Sequence, residues 1–398
     1  MRWIVIGIGC LAALVSLAAW GPGSLNAMQL VNRPADPALE SLFAPVREPL
    51  RTERADLHGA EDLEPGPDGR LYTSLADGRI MVRAADGDWV EFADTGGRPL
   101  GLSFAPDGSL FVADALRGLL HRTDAGWDVW LGAAPEGPLV FADDLTVLAD
   151  GRIVMTDASL RHPYGRHMDS FLESEQTGRI LLVTSPGEFT ELAGGLGFIN
   201  GVDHDPANGL VYINETWTGR IWRLDPDSGE MSVLIEGLPG YPDNLEFDSA
   251  TGLIWTAMPS LRSPSLEALH ARPFVKRLVW RWLQLAGLPA LPDRSRTRWH
   301  YSLRRSGRPR DRIGPRPDVG GSRDCRTLRG SPLTAAAQNR RGFARRRRHQ
   351  MRAIDRAQDI GDHRQAGFLL AVGRNDTPGQ ILRAGLRQHA IAGARIII

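Results

Sequence analysis

Four short stretches of this chain carry oxygen donors in settings similar enough to share one ligand. They are Gly59-Ala60-Glu61-Asp62-Leu63, Phe141-Ala142-Asp143-Asp144-Leu145, Phe198-Ile199-Asn200-Gly201-Val202 and Pro239-Gly240-Tyr241-Pro242-Asp243-Asn244-Leu245. The candidate donors are the carboxylates of Glu61, Asp143 and Asp243 and the amide oxygens of Asn200 and Asn244. Calcium takes about six to eight such hard oxygens, whereas zinc favours the His and Cys that these positions lack. A cation held there would polarise a lactone or ester carbonyl and stabilise the oxyanion formed on water attack. Calcium acidifies water weakly, so a base is needed. Asp243 is the candidate, since a carboxylate beside the metal can both ligate and accept a proton. Taken singly, each residue also reads as a cap on a turn at a strand end; recurrence at one place in four repeats is what argues for a site. Asp68, Asp107 and Asp150 recur too, but in Pro-Asp-Gly or Ala-Asp-Gly settings that turn chemistry explains.

Residues so far apart converge only if a repeated element brings them together. From about residue 55 each unit has an apolar strand, a tight Asp/Asn/Gly turn, a second strand ending in a small or polar residue, and often a third strand. The turns stand at Pro67-Asp68-Gly69, Pro106-Asp107-Gly108, Ala149-Asp150-Gly151, Asn208-Gly209 and Thr251-Gly252. A period of roughly 40 residues with four-stranded units is the signature of propeller blades, whose innermost strands line a central channel. The one longer gap, between Ser159 and Thr177, reads as a loop inserted in the third blade over one mouth of the channel. A sandwich is the rival architecture, with less regular spacing expected. The fold predicted is all-β, a six-bladed β-propeller over residues 55–292 with five blades readable and the sixth scrambled, plus an N-terminal apolar anchor helix.

The flanks are read from composition. The 398 residues are 42% hydrophobic and balance 47 basic against 47 acidic side chains, so net charge points to no nucleic-acid partner. The two cysteines, Cys10 and Cys325, lie outside the repeats, so no disulfide staples them. Residues 1–24 read as a signal anchor or a signal peptide: Arg2 precedes an apolar run over 3–20, about long enough to cross a bilayer. Gly7-Ile8-Gly9 with Ala12 mimics a dinucleotide turn, but no acidic residue or second strand follows. The repeats are thus expected to be exported, either membrane-anchored through residues 3–20 on the periplasmic or extracellular side, or secreted if the signal is cleaved. Residues 25–54 form the linker. Residues 265–285 read as helical, either an amphipathic cap on the propeller or a helix lying on the membrane with Trp280, Trp282 and basic neighbours at the interface. Residues 293–398 are an atypical tail without Glu or Lys and holding more than half of the arginines. A basic disordered tail and an out-of-frame stretch both fit this composition, and the second is the reading adopted.

The motifs Gly-Arg-Pro-Leu-Gly (97–101), Phe-Ala-Asp-Asp-Leu (141–145), Thr-Asp-Ala-Ser (156–159), Pro-Gly-Tyr-Pro-Asp-Asn (239–244) and Arg-Pro-Phe-Val-Lys-Arg (272–277) resemble the strictosidine synthase-like propellers, and among them the adipocyte plasma-membrane-associated branch. These are grouped with the paraoxonases and the gluconolactonases of the senescence-marker-protein family. The resemblance implies that Glu61, Asn200, Asp243 and Asn244 hold a catalytic calcium. It also implies that Asp143 replaces an Asn and that Leu100 stands where paraoxonases carry a histidine general base. The acid used in alkaloid condensation would fall in the sixth blade, which makes that activity the least supported. The function expected is a calcium-dependent hydrolase acting on a small-molecule lactone or ester. The rival is a non-catalytic, membrane-tethered binding module with structural calcium. No G-x-S-x-G or H-E-x-x-H motif offers another hydrolytic centre.

Overall fold

The computed structural model describes residues 25–37, 57–84, 87–134 and 137–286, the backbone of a strand at 368–373, and the single positions Val15, Trp20, Gly21 and Leu39. Its strands form five consecutive antiparallel sheets. Blade 1 holds β1 to β4 (Leu63–Pro65, Leu71–Ser74, Arg79–Arg83, Val90–Asp94). Blade 2 holds β5 to β8 (Pro99–Phe104, Leu110–Asp114, Gly118–Thr123, Gly126–Gly132). Blade 3 holds β9 to β12 (Ala142–Val147, Ile153–Asp157, Gly178–Ser185, Glu188–Leu196). Blade 4 holds β13 to β16 (Ile199–Asp205, Leu210–Glu215, Arg220–Leu224, Met231–Glu236). The fifth sheet has three strands, β17 (Leu245–Asp248), β18 (Leu253–Met258) and β19 (Phe368–Gly373). Each four-stranded sheet meanders from its first strand to its fourth, and the first strands of successive sheets are neighbours, which makes this an all-β propeller.

The sequence repeats fold this way because each blade buries both faces. Tyr72, Ile80 and Val82 of blade 1 pack on Leu102, Leu110, Val112 and Leu120 of blade 2. Like interfaces join blades 2 and 3 through Phe111, Leu145 and Met155, blades 3 and 4 through Val154, Ile180, Val211 and Ile213, and blades 4 and 5 through Tyr212, Ile221, Phe247 and Ile254. The turns are closed as the sequence predicts. Asp68, Asp107 and Asp150 accept the backbone N–H two residues on, of Arg70, Ser109 and Arg152. The glycine between takes φ of +79°, +91° and +90° in turn.

The sixth blade, and the 1–24 segment apart from Val15, Trp20 and Gly21, lie outside the described residues, and no helix among those described is long and apolar enough to cross a membrane. Most of residues 293–398 lies outside them as well. One piece does not: β19 pairs with β18 over six residues, from Leu253↔Gly373 to Met258↔Phe368. This strand, Phe-Leu-Leu-Ala-Val-Gly, is a short apolar run within the stretch taken as out of frame. The first part of the expected linker is also built into the fold. Met28 N–H donates to Glu173 O at 2.7 Å and Leu30 N–H to His270 O at 3.1 Å, with Leu25, Ala27 and Leu30 buried. The long gap in blade 3 carries helix α1 (His167–Glu173), and residues 265–285 resolve into α2 (Pro264–His270) and α3 (Pro273–Leu285).

Candidate metal centre

The five candidate donors all sit at the start of an innermost strand. Asp143 and Asn200 are the second residues of β9 and β13, Glu61 lies two residues ahead of β1, and Asp243 and Asn244 lead into β17. Blade stacking then brings them to one channel. Gly201 N–H donates to the Asp243 carbonyl at 3.1 Å, seating blade 4 against blade 5. Asn244 Nδ2 donates to the Glu61 carbonyl at 2.9 Å, which ties the fifth blade to the first. Glycine at 201 is demanded by this approach, since a Cβ there would fall 2.3 Å from Leu245 N.

Electrostatics shows how close the carboxylates are. Burial pushes the Glu61 carboxyl up to about 8, repulsion from Asp243 and Asp62 adds to it, and Arg98 opposes it. Burial likewise drives Asp143 well above the carboxylate range, reinforced by Glu61 and Asp243 and again opposed by Arg98. Three acidic side chains from blades 1, 3 and 5 therefore feel one another inside the protein. Among the described residues no three His, Cys, Asp or Glu side chains form a metal-binding group by themselves. A cation would need the Asn200 and Asn244 amides as well. Two of the required oxygens, Asp143 Oδ2 and Asn244 Oδ1, are buried without a hydrogen-bond partner. Such orphans are rare and costly, and all-oxygen donors with mutually repelling carboxylates suit a hard divalent cation.

Several residues that hold this arrangement were not singled out in the sequence. The residue after the donor position is Asp62 in blade 1 and Asp144 in blade 3. Asp62 accepts Leu102 N–H of blade 2 at 2.7 Å, and Asp144 accepts Val202 N–H of blade 4 at 2.7 Å. Asp203 of β13 accepts Phe247 N–H of blade 5 at 2.7 Å. These carboxylates staple adjacent inner strands. Burial pushes Asp62 up to about 6, although its bonds from Leu102 and Leu63 pull the other way. From the second strands, Ser74 Oγ donates to Leu100 O at 2.7 Å, Thr156 Oγ1 to Asn200 O at 2.8 Å and Asn214 Nδ2 to Asp243 O at 2.7 Å. Each pins the backbone of the next blade at its donor position. The sequence signal was present: an acidic residue directly after the donor in blades 1 and 3, and Gly101 and Gly201 at the same place in blades 2 and 4.

An aromatic cluster lies beside the donor positions. Phe141, Phe198 and Tyr241 stand two residues before Asp143, Asn200 and Asp243, just ahead of β9, β13 and β17. They pack in one cluster with Leu100, Trp217 and Phe171 of α1, so the inserted loop does lie at a mouth of the channel. Arg98 holds the matching place in blade 2. Its Nε donates to Tyr164 Oη of the loop at 3.1 Å and its Nη1 to Gly59 O at 3.1 Å. Leu100 fills the donor position of blade 2 and is buried among the aromatics.

Residues 67–263 match the family model of the SMP-30/Gluconolactonase/LRE-like region, and residues 51–82 match that of the strictosidine synthase-like N-terminal region. The chain is 33% identical to the Arabidopsis thaliana protein STRICTOSIDINE SYNTHASE-LIKE 13, over 56% of this chain and 64% of that protein. It is 32% identical to the human adipocyte plasma membrane-associated protein, over 65% of this chain and 70% of the relative. Among solved structures, a gluconolactonase from Xanthomonas campestris is similar at 18% identity and TM-score 0.44, over 60% of this chain and 82% of that one.

Proposed function

The chain belongs to the strictosidine synthase-like propellers, and from that membership and its donor ring we propose that it is a calcium-dependent hydrolase of lactones or esters. The observation that carries the reading is the mutually repelling trio Glu61, Asp143 and Asp243 with buried, unpartnered oxygens on Asp143 and Asn244. Glu61, Asp143, Asn200, Asp243 and Asn244 would hold calcium, which when bound supplies a Lewis acid for the substrate carbonyl. Asp243 takes the proton from the attacking water and returns it to the leaving alkoxide. Atoms balance: one C–O bond forms from water, the acyl C–O bond breaks, and a hydroxy acid, or an acid and an alcohol, results. Phe141, Phe198 and Leu100 exclude bulk water from that end of the channel and offer an apolar wall to the acyl chain. Residues 3–20 anchor the exported protein in this reading.

A second reading, a tethered binding module with structural calcium, is favoured by one feature. Leu100 puts a hydrocarbon at the blade 2 donor position, where an oxygen ligand or a base would otherwise stand. The test is hydrolysis of a panel of γ- and δ-lactones and aryl esters by the full chain, with calcium and with chelator. Turnover that disappears with chelator and returns with calcium supports the hydrolase. A calcium-raised melting temperature without turnover of any substrate supports the binding module and overturns the first reading.

A further inference from the structure

Helix α3 presents an inverted pattern. Its one fully buried residue is Lys276, the only lysine of the chain, while Phe274, Val275, Val279, Trp282 and Leu285 are exposed. Trp282 is 62% and Leu285 77% exposed, and what marks them is that they belong to one patch with their exposed neighbours rather than standing singly. At about 100° per residue the five, with Leu278, fill an arc of about 140° on one side of the helix. Arg272 borders that arc on one edge, Arg281 and Arg277 on the other, and the helix has no acidic residue. The opposite side is fixed to the propeller. Lys276 Nζ donates to Ser174 Oγ at 2.6 Å and lies 3.0 Å from His270 Nδ1, and Arg277 donates to the carbonyls of Leu25 and Ala27. The helix is thus clamped by its polar residues with its apolar side turned out.

We infer that the outer face of α3 lies in the interface of an anionic lipid bilayer. Two observations choose lipid over other occupants. First, the apolar run over 3–20 ends on this face: the Trp20 ring packs 5.5 Å from that of Phe274, and the Arg277 guanidinium sits over Trp20 at 5.8 Å. Trp20, the last residue of that run, thus joins the apolar face of the helix. Second, Arg272 and Arg281, flanking an arc of Trp, Phe, Val and Leu, complement a lipid headgroup layer, with their guanidiniums at the phosphates and the apolar side chains below them. A bilayer contacting this helix would also hold the α1 loop close to its surface, because Lys276 and His270 both meet Ser174 at the end of α1.

The experiment uses the full chain with Cys10→Ser and Cys325→Ser, reconstituted in vesicles of phosphatidylcholine with phosphatidylglycerol. A polarity-sensitive fluorophore is attached through Trp282→Cys, in a second protein through Leu285→Cys, and as a control through Val129→Cys on the exposed side of β8. The labels at 282 and 285 are expected to shift to the blue and to be quenched severalfold more by brominated lipid than the label at 129. Arg281→Gln should weaken that quenching, and neutral vesicles should weaken it further. Equal quenching at 282, 285 and 129 overturns the inference. So does a blue shift that ignores brominated lipid: if it scales with protein density the face meets a second copy, and if it does not the chain's own 287–398 segment covers it.

Discussion

Glu61→Gln separates a site built for a cation from an ordinary buried carboxyl. In the calcium-free protein the Glu61 carboxyl is pushed to about 8 from an ordinary 4.5, mainly by burial and then by Asp243. The folded state therefore holds this proton more tightly than the unfolded chain does. Its contribution to stability is complete below about pH 4.5 and is lost as pH rises through about 8. The gap between those values corresponds to about 5 kcal/mol at 1.36 kcal/mol per pH unit, and Asp143 and Asp144 act in the same direction. Glutamine keeps the shape and removes the charge. At pH 8.5, without calcium, Glu61→Gln should therefore melt roughly 10 °C above the parent, at about 2–4 °C per kcal/mol for a domain of this size. At pH 5 the two should melt together. Saturating calcium should reverse the order at pH 8.5, because only the parent gains fully from binding. The assay is differential scanning calorimetry at both pH values with and without chelator. A calcium-free parent equally stable at pH 5 and pH 8.5, or a variant with no advantage at pH 8.5, would refute the electrostatic description of the ring.

Three further outcomes follow from the same geometry. Asp243→Asn should lower kcat for calcium-dependent hydrolysis by roughly 10²–10⁴-fold while isothermal titration still detects calcium, since the loss of a proton acceptor exceeds that of one ligand charge. Asp144→Ala leaves the N–H groups of Leu145 and Val202 without their acceptor, a cost of about 1–3 kcal/mol each. Gly101→Ala would set a Cβ 2.1 Å from Asp144 Oδ1, so the double variant should cost less than the two singles together in urea unfolding, and strict additivity would contradict the staple. Arg98→Met removes the cation that opposes the raised Glu61 and Asp143, so calcium should bind severalfold more tightly at pH 9 and with a steeper dependence on pH below 8.

What the sequence made legible has a common cause. Blade cores and turns are local: alternating apolar residues and an Asp-Gly turn fold the same way wherever they occur, so the strand units around Asp68, Asp107 and Asp150 could be read directly. The donors could be found because the repeat multiplied them. Asp62, Asp144 and Asp203 stood in plain view but act on the next blade about 40 to 60 residues away, and nothing in a local pattern says which carboxylate reaches across. Arg98 was quoted within a motif without a role, because its effect on Glu61 and Asp143 exists only after blades 1, 2 and 3 meet. Strand β19 was missed for the reason that distance hides pairing: its partner β18 lies more than a hundred residues earlier. In α3 the apolar stripe was legible, but not which side it faces, which Ser174 and His270 decide by taking Lys276 inward.

The inner strands share a unit in which three positions have separate duties. The first holds Gly59, Arg98, Phe141, Phe198 and Tyr241 at the channel mouth. Two residues on, Glu61, Leu100, Asp143, Asn200 and Asp243 take the donor place, at or just ahead of the start of each inner strand. In blades 1 to 4 the next residue is Asp62, Gly101, Asp144 or Gly201, where carboxylates that reach the neighbouring blade alternate with glycines; in blade 5 it is Asn244, whose Nδ2 reaches the Glu61 carbonyl. Each glycine is the space into which a neighbour fits: Gly101 faces Asp144, and Gly201 faces the backbone of Asn244 and Leu245. A change at the stapling place would therefore move the donor beside it. Blade 2 breaks the unit at two places, with a cation at the mouth and a leucine at the donor position. Among the described blades it alone brings no oxygen side chain to the ring. On the hydrolase reading this leaves the cation gripped from blades 1, 3, 4 and 5, with the blade 2 side, lined by Leu100 and flanked by Arg98, as the approach for a substrate carbonyl.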